Sequence, residues 1–489
     1  MDIKVLDTTL RDGEQTPGIS LITSDKLRIA SKLDSMNVDY IEAGSAIISK
    51  GERDSIKEIT KQGFNAEILS FSRPLQKDID FCLSCDVDAV NLVVPTSDLH
   101  ISQKLKISKD ELLQMSNSAI QYCKDHGLTV ELSAEDASRS DVDFLKRVFY
   151  NAEDFNVDRL CICDTVGILT PNLSYNLFSK FNDFSKPIAC HCHNDFGLAV
   201  ANTLAAINAG ASEFHSTVNG IGERAGNTSF EEVVVAINFL YSQFSTNINL
   251  HEIYSISKLV SRLTGILPPN KPIVGENAFA HESGIHADGI IKNSKTYEPI
   301  SPELVGQTRK FVLGKHMGSH ALNNRLKELG VEVSKDQLSQ IFNNVKNLAD
   351  KGKVICDVDL LAITENVLNI NHDDRIHLKE ITVVSGNNVM PTASVKVSID
   401  GKEILEAGVG IGPVDAAINA VNKSISQFGD IKLVEYHVDA ITGGTDALID
   451  LFVKIKKGDE VISARSTEPD IVNASVKAYI SAVNRLVSK

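Results

Sequence analysis

The sequence predicts an α/β protein: a (β/α)8 TIM barrel, a helical linker region, and a duplicated α+β domain at the C-terminus. Two observations carry the barrel. A short β-rich run, a polar turn and a helical stretch recur eight times over roughly 240 residues, the count and length such a barrel needs. No Gly-rich dinucleotide loop follows the first run, so a doubly wound open sheet fits less well. A third observation, a weak internal repeat near the C-terminus, carries the last domain.

The strand-like runs are IKVLDTTL (3–10), YIEAG (40–44), AEILSF (66–71), AVNLVVPT (89–96), TVELSAE (129–135), RLCICDT (159–165), PIACHCH (187–193) and EFHSTVNG (213–220). Between them lie amphipathic segments such as SDKLRIASKLDSM (24–36), with apolar residues at helical spacing. The pattern breaks at LPPNKP (267–272). A Gly- and His-rich segment follows, NAFAHESGIHADG (277–289), and then helical runs to about 370. From about 377 the chain turns β-rich again. There, VKVSIDGKEILEAGVGIGPVDAAINAV (395–421) resembles LFVKIKKGDEVISARSTEPDIVNASVKAYISAV (451–483), with Gly401 matching Gly458, Ala407 matching Ala464 and Pro413 matching Pro469. Each copy reads as a hairpin followed by a helix. The expected domains are therefore 1–265, 266–372 and 373–489.

The 489 residues are 43% hydrophobic and 23% charged, with 64 acidic and 49 basic side chains and a net charge of −15. An acidic chain without a basic block is a poor binder of nucleic acid or anionic membrane, although phosphorylated ligands remain possible at local Arg or backbone N–H groups. The N-terminus, MDIKVLDTTLRDGEQ, lacks the apolar stretch of a secretory signal. No apolar run approaches the roughly 18 residues of a membrane span. Eight scattered cysteines suit a reducing cytoplasm better than a disulfide scaffold, and Cys82-Leu-Ser-Cys85 reads as two small buried residues rather than a zinc or redox pair.

In such a barrel the chemistry sits at the C-terminal ends of the strands. Those ends hold Arg11 and Asp12, Glu42, Glu135, Asp164 and Thr165, and then Cys190-His191-Cys192-His193. Successive side chains on a strand point to opposite faces, so His191 and His193 share one face and the two cysteines the other. The four cannot form one cluster. One His at a strand end is more often structural than a ligand. Two on one face with a carboxylate opposite make a divalent-metal site whose mixed N and O ligands leave room for water or substrate. The NGIGERAGN loop (219–227) has two open readings: backbone approaching a substrate with Arg224 meeting an anion, or a tight turn with a structural Glu–Arg pair.

The segments LDTTLRDGEQTPG (6–18), HCHNDFGLAVANTLAAINAGA (191–211), NGIGERAGN (219–227) and HESGIHADG (281–289) resemble the isopropylmalate, homocitrate and citramalate synthase family over essentially the whole chain. DTTLRDG alone also admits lyases and carboxyltransferases of the wider superfamily. The resemblance implies acetyl-CoA as co-substrate, a 2-oxo acid acceptor and a divalent metal ion (Mn, Zn or Mg). It implies Asp12, His191, His193 and Asn227 as the metal ligands, Arg11 at the reacting carbonyl oxygen, Thr165 at the oxo acid carboxylate and Glu135 near the reacting carbons. His286 and Tyr297 correspond to a pair that reaches a partner subunit's active site, which implies a homodimer. Glu135 and His286 both remain candidates for the base.

Within the family, EAGSAIISKGE (42–52) looks like the archaeal-type citramalate synthases, and Leu92 and Leu69 are expected to narrow the acceptor pocket. The expected acceptor is pyruvate. The alternative is 2-oxoisovalerate, as in 2-isopropylmalate synthase; homocitrate synthesis ranks third because it needs a cation for a distal carboxylate. A further alternative is a non-catalytic amino-acid sensor on a synthase scaffold, against which the intact ligand positions argue. The Gly-rich turns GVGIGP (408–413) and ITGGTDA (441–447) are the expected effector region, with Gly443 and Gly444 admitting an amino acid's carboxylate to backbone N–H groups or simply forming turns. Isoleucine is the expected effector, with leucine fitting the alternative.

Overall fold

Eight parallel strands close on themselves, each followed by a helix, in the computed structural model of the chain. The order is β1 (Lys4–Asp7), α1 (Thr23–Ser35), β2 (Tyr40–Glu42), α2 (Lys50–Thr60), β3 (Glu67–Ser72), α3 (Gln76–Leu83), β4 (Ala89–Pro95), α4 (Lys109–Asp125), β5 (Thr129–Glu135), α5 (Val142–Asp154), β6 (Arg159–Asp164), α6 (Pro171–Phe178), β7 (Ile188–Cys192), α7 (Ala199–Asn208), β8 (Glu213–Ser216) and α8 (Phe230–Leu240). Strand β8 returns to β1, with Val5 opposite Phe214. The structure describes all residues except 267, 351–354, 356, 369–373, 441–448, 459 and 488–489.

Both faces of a parallel barrel strand are covered, so its residues are buried whatever their polarity. β6, RLCICD, is buried at all six positions. Helix starts follow the local chemistry. Ser49 accepts a bond from Glu52 N–H at α2, Ser108 and Glu111 form a reciprocal capping box at α4, and Pro171 opens α6 behind Thr170. The lower barrel interior is charged: Arg159 bonds Glu67 (2.7 Å) and Glu131 (3.2 Å), and His215 Nε2 lies 3.0 Å from Glu131 Oε1 as an ion-pair contact.

Two runs expected to extend to residues 10 and 220 stop pairing at Asp7 and Ser216. The carbonyl of Thr8 accepts from the N–H groups of Arg11, Asp12 and Gly13, which bends the chain into a turn instead of continuing the ladder. Arg11 and Asp12 therefore sit on that turn. After the barrel, α9 (Ile253–Thr264) ends at Gly265 in the left-handed conformation (φ 75°).

The chain divides into two contact units, Met1–His281 with Asn293–Lys310, and Glu282–Lys292 with Phe311–Lys489. Two-residue strands β9 (Ala280–His281) and β10 (Lys310–Phe311) bracket α10 (Gly284–Lys292). In the second unit α11 (Ser319–Glu328), α12 (Lys335–Ala349) and α13 (Asp357–Leu368) gather around Leu322, Leu326, Ile341 and Val345. The duplication follows: β11 (Ile376–Gly386), β12 (Val389–Ile399), β13 (Lys402–Val409) and α14 (Pro413–Ser424), then β14 (Lys432–Ala440), β15 (Ile449–Lys457), β16 (Glu460–Glu468) and α15 (Ile471–Val487). Each copy is a three-stranded antiparallel sheet with one helix, a strand more than the hairpin expected, and both share a core containing Val395, Val453, Val421 and Tyr479. A Cβ at Gly408 would lie 2.4 Å from the carbonyl oxygen of Ala416, so that glycine lets α14 pack against its strand. Gly443 and Gly444 lie outside the described residues. No described helix is long and apolar enough to cross a membrane.

Candidate active site at the mouth of the barrel

On β7 the alternation places Cys190 among the residues packed towards the helices, while His191 and, one step past the strand, His193 line a cavity of about 650 Å³ at the mouth. Their Nε2 atoms are 3.3 Å apart, and His191 Nε2 is 3.5 Å from Asp12 Oδ2. Asn227 forms an isolated bridge with His193 and donates through Nδ2 to Asp12 Oδ1 (3.0 Å) and to the Ile221 carbonyl (3.1 Å). All four side chains are buried. The loop reaches this position because Gly222 has no side chain: a Cβ there would lie 2.1 Å from Asn227 Nδ2.

The electrostatics of this group are those of a cation site. Burial by itself would raise the Asp12 carboxyl, but the Arg11 guanidinium and the two imidazoles hold it well below the usual carboxylate range. Burial pushes the His191 imidazole well down, and its neighbour His193 pushes it further. His193 is lowered chiefly by burial as well. Both rings are thus neutral near pH 7, with lone pairs available. Asn227 Oδ1, His191 Nδ1 and His193 Nδ1 are buried without a hydrogen-bond partner. An unsatisfied buried acceptor is costly, and a divalent cation bound at Asn227 Oδ1 would offset that cost; the ring nitrogens nearest such an ion are the two Nε2 atoms that face each other and Asp12. Asp12, His191 and His193 each bring a ligand atom within 4.8 Å of the others, so the donor set fits a divalent metal with open positions.

Arg11 is held rigidly. Its Nε donates to Glu42 Oε2 (2.7 Å) and its Nη1 to Asp12 Oδ2 (2.9 Å). Glu42 is in turn fixed by Thr8 Oγ1 (2.5 Å) and Asn91 Nδ2 (3.0 Å). Thr165 Oγ1 accepts the Asp136 N–H at 2.8 Å, which leaves its hydroxyl proton to turn towards the cavity it lines. Glu135 also lines the cavity, with Lys104 Nζ at 2.7 and 2.8 Å from its two oxygens. Arg224 chelates Asp195 (2.7 and 2.9 Å) and donates to the Thr165 carbonyl (2.8 Å), so the structural ion pair of this loop is Arg–Asp rather than Glu–Arg.

Two expected pocket residues are elsewhere. Leu92 packs outward into the core between strands and helices, and Leu69 sits with Leu6, Ala89 and Tyr40 in a separate interior cluster. Neither lines the cavity; Phe71, Asn91, Val93 and Ser133 do. Strand alternation already carried that information, because Asn91 and Val93 flank Leu92 on the opposite face. Phe71 lies beside Arg11, whose guanidinium carbon is 5.0 Å from the ring centroid. Tyr297 is 45% exposed and does not line the cavity, and His286 is exposed on α10 of the second unit.

Residues 2–260 match the HMGL-like family model, 273–353 the homocitrate synthase post-HMGL domain-like model, and 354–487 the LeuA allosteric (dimerisation) domain. A protein of Methanothermobacter thermautotrophicus is 58% identical over 489 residues, covering 100% of this chain and 98% of its own. The (R)-citramalate synthase of Methanocaldococcus jannaschii is 55% identical, with 100% of both chains covered. The chain belongs to the (R)-citramalate synthase family. Membership makes it a condensing, acyl-transferring enzyme that carries an allosteric dimerisation domain. A 2-isopropylmalate synthase of M. jannaschii is 48% identical, covering 100% of this chain and 95% of its own, so the two activities share one scaffold. The barrel is also the fold of the Bacillus subtilis HMG-CoA lyase (TM-score 0.50, 20% identity, 55% of this chain and 96% of that one).

Proposed function

We propose that the chain condenses acetyl-CoA with pyruvate and hydrolyses the resulting thioester to (R)-citramalate, on the route to isoleucine. One observation carries the reading: Asp12, His191 and His193 converge at a barrel mouth, with Asn227 hydrogen-bonded to Asp12, in a chain 55% identical, end to end, with an (R)-citramalate synthase. Bound by these four residues, a divalent ion (Mn, Zn or Mg) supplies Lewis-acid polarisation of the oxo acid.

The chain's own groups do the rest. Thr165 donates its hydroxyl proton to the pyruvate carboxylate. Arg11, immobilised by Glu42 and Asp12, directs N–H groups at the keto oxygen as negative charge develops there. Glu135 takes a proton from the acetyl methyl group, the methyl carbon bonds to the keto carbon, and the keto oxygen gains a proton. Water then cleaves the C–S bond, releasing the coenzyme A thiol and a second carboxylate. His286 and Tyr297 act from a partner subunit in a homodimer, with His286 the alternative base. Phe71 and Val93 take the size-limiting role first expected of Leu69 and Leu92. The LeuA-type domain binds isoleucine and inhibits. A reducing cytoplasm is the setting, in keeping with seven free, buried cysteines among the described residues.

Release of coenzyme A thiol, followed with a thiol reagent, tests this with pyruvate, 2-oxoisovalerate and 2-oxoglutarate. Pyruvate is expected to give the highest kcat/KM, with inhibition by isoleucine and not by leucine. Preference for 2-oxoisovalerate moves the assignment to isopropylmalate synthesis. No release with any acceptor, metal present, makes the chain a sensor.

A further inference from the structure

We infer that Lys104 is a removable cap on Glu135, and that the phosphorylated end of the thioester substrate removes it. The inference rests on the role of Glu135 proposed above. Lys104 Nζ donates to both carboxylate oxygens of Glu135, at 2.7 and 2.8 Å. An ammonium bridging both carboxylate oxygens engages one lone pair on each and occupies the face from which a proton would arrive, so proton transfer from carbon is hindered until it is released.

The cap is built to move. Lys104 is 54% exposed at its side chain, and Glu135 only 18%. Ion pairs with an exposed partner are weakly held. Lys104 sits on a π-helical turn, His100–Leu105, closed by Lys106 in the left-handed conformation (φ 58°). Such turns are rare and concentrate at functional sites. His100, on the same turn, places Nδ1 3.7 Å from Glu135 Oε1, so the carboxylate keeps a polar neighbour when the lysine leaves.

Partner identity singles out Lys104. Besides the largely buried Arg11, three exposed cations line the cavity: Arg73, Lys104 and Arg224. Arg73 is tied to Asp78 and Arg224 to Asp195, carboxylates that do not line the cavity. Lys104 alone of the three is paired with one that does. A phosphate is a stronger competitor for an ammonium than a single carboxylate, because it carries more charge. Arrival of a coenzyme A thioester therefore shifts Lys104 from Glu135 to phosphate and frees the base more fully when its substrate is present.

The test compares acetyl-CoA with S-acetylpantetheine, which has the same thioester and no phosphate, in the full-length enzyme with saturating pyruvate and metal. In the native enzyme, kcat with S-acetylpantetheine should be below that with acetyl-CoA. K104M should raise kcat for S-acetylpantetheine roughly two- to fivefold, the range an exposed ion pair can impose, while raising KM for acetyl-CoA. K104R should restore the native difference. Equal proportional loss of kcat with both thioesters in K104M, or an unchanged kcat with S-acetylpantetheine, overturns the cap. Native turnover in E135Q overturns the role of Glu135 and the cap with it, whereas an inactive E135Q beside an unchanged K104M overturns the cap alone.

Discussion

Asn227 donates through Nδ2 to Asp12 Oδ1 across 3.0 Å, while its own Oδ1 lies buried with no donor to meet it. The loop after β8 thus closes over the turn after β1 and leaves one amide oxygen buried without a partner.

Asn227→Ala is expected to lower divalent-metal affinity roughly 10–100-fold. His193→Ala should lose bound metal and turnover altogether. Removing one of two imidazoles only 3.3 Å apart should leave the melting temperature of the metal-free protein level or raised. Elemental analysis and thermal unfolding with and without chelator check both. Cys192→Ser, buried but off the cavity lining, should retain metal; loss of metal there would overturn the strand register.

Metal removal should lower stability by mass action, since the site is assembled only in the folded chain. A free ion at 100 times its Kd stabilises by about 2.7 kcal/mol. Thermal unfolding after chelation and after return of Mn, Zn or Mg measures the difference. No change with any of the three would remove the site.

Burial depresses the His191 and His193 imidazoles, so protons compete for the site only below the ordinary value of about 6.5. Metal titrations at pH 7 and pH 6 should therefore agree closely. In the metal-free protein the unfolded chain takes up more protons than the folded one below 6.5, so these two residues make stability rise with pH towards 6.5.

His215 runs the other way. Burial lowers it, but the charge of Glu131 outweighs that and carries it up to about 10. Its contribution is complete below 6.5 and is lost as pH rises through about 10. His215→Gln should be less stable than the native protein at pH 7 and lose less on going to pH 10. Equal alkaline slopes in the two proteins would refute the pairing.

Acceptor choice separates the two faces of β4. Val93→Ala or Phe71→Ala should improve 2-oxoisovalerate relative to pyruvate, with each methyl group worth about 1–3 kcal/mol in kcat/KM. Leu92→Ala should leave the ratio alone and cost about 2–5 kcal/mol of stability as a core truncation.

Much of this was legible in the residues. The eight β/α phrases specify the barrel because the polar and apolar periods of strand and helix are local properties, and the alternation at 190–193 separates the imidazoles from the thiols by the same geometry. Leu92 shows the limit of analogy: the rule that sorted His191 from Cys190 also turns Leu92 away from the pocket and brings Asn91 and Val93 in. Arg11 and Asp12 were placed at a strand end, but three N–H groups sharing the Thr8 carbonyl set them on a turn.

The sequence by itself determined the barrel, the duplicated C-terminal domain and the identity of the polar groups at the mouth, because hydrophobic period and strand alternation depend on near neighbours in the chain. Only the tertiary structure decided which of those groups meet. Asp12 and Asn227 are 215 positions apart and join because closure brings β8 back to β1. The Lys104–Glu135 contact spans 31 positions across a π-helical turn, and Glu42 reaches Arg11 across 31 more. No periodicity encodes contacts of that kind; they follow from the curvature of a closed sheet and from glycines, such as Gly222, that let backbone pass where a side chain would clash.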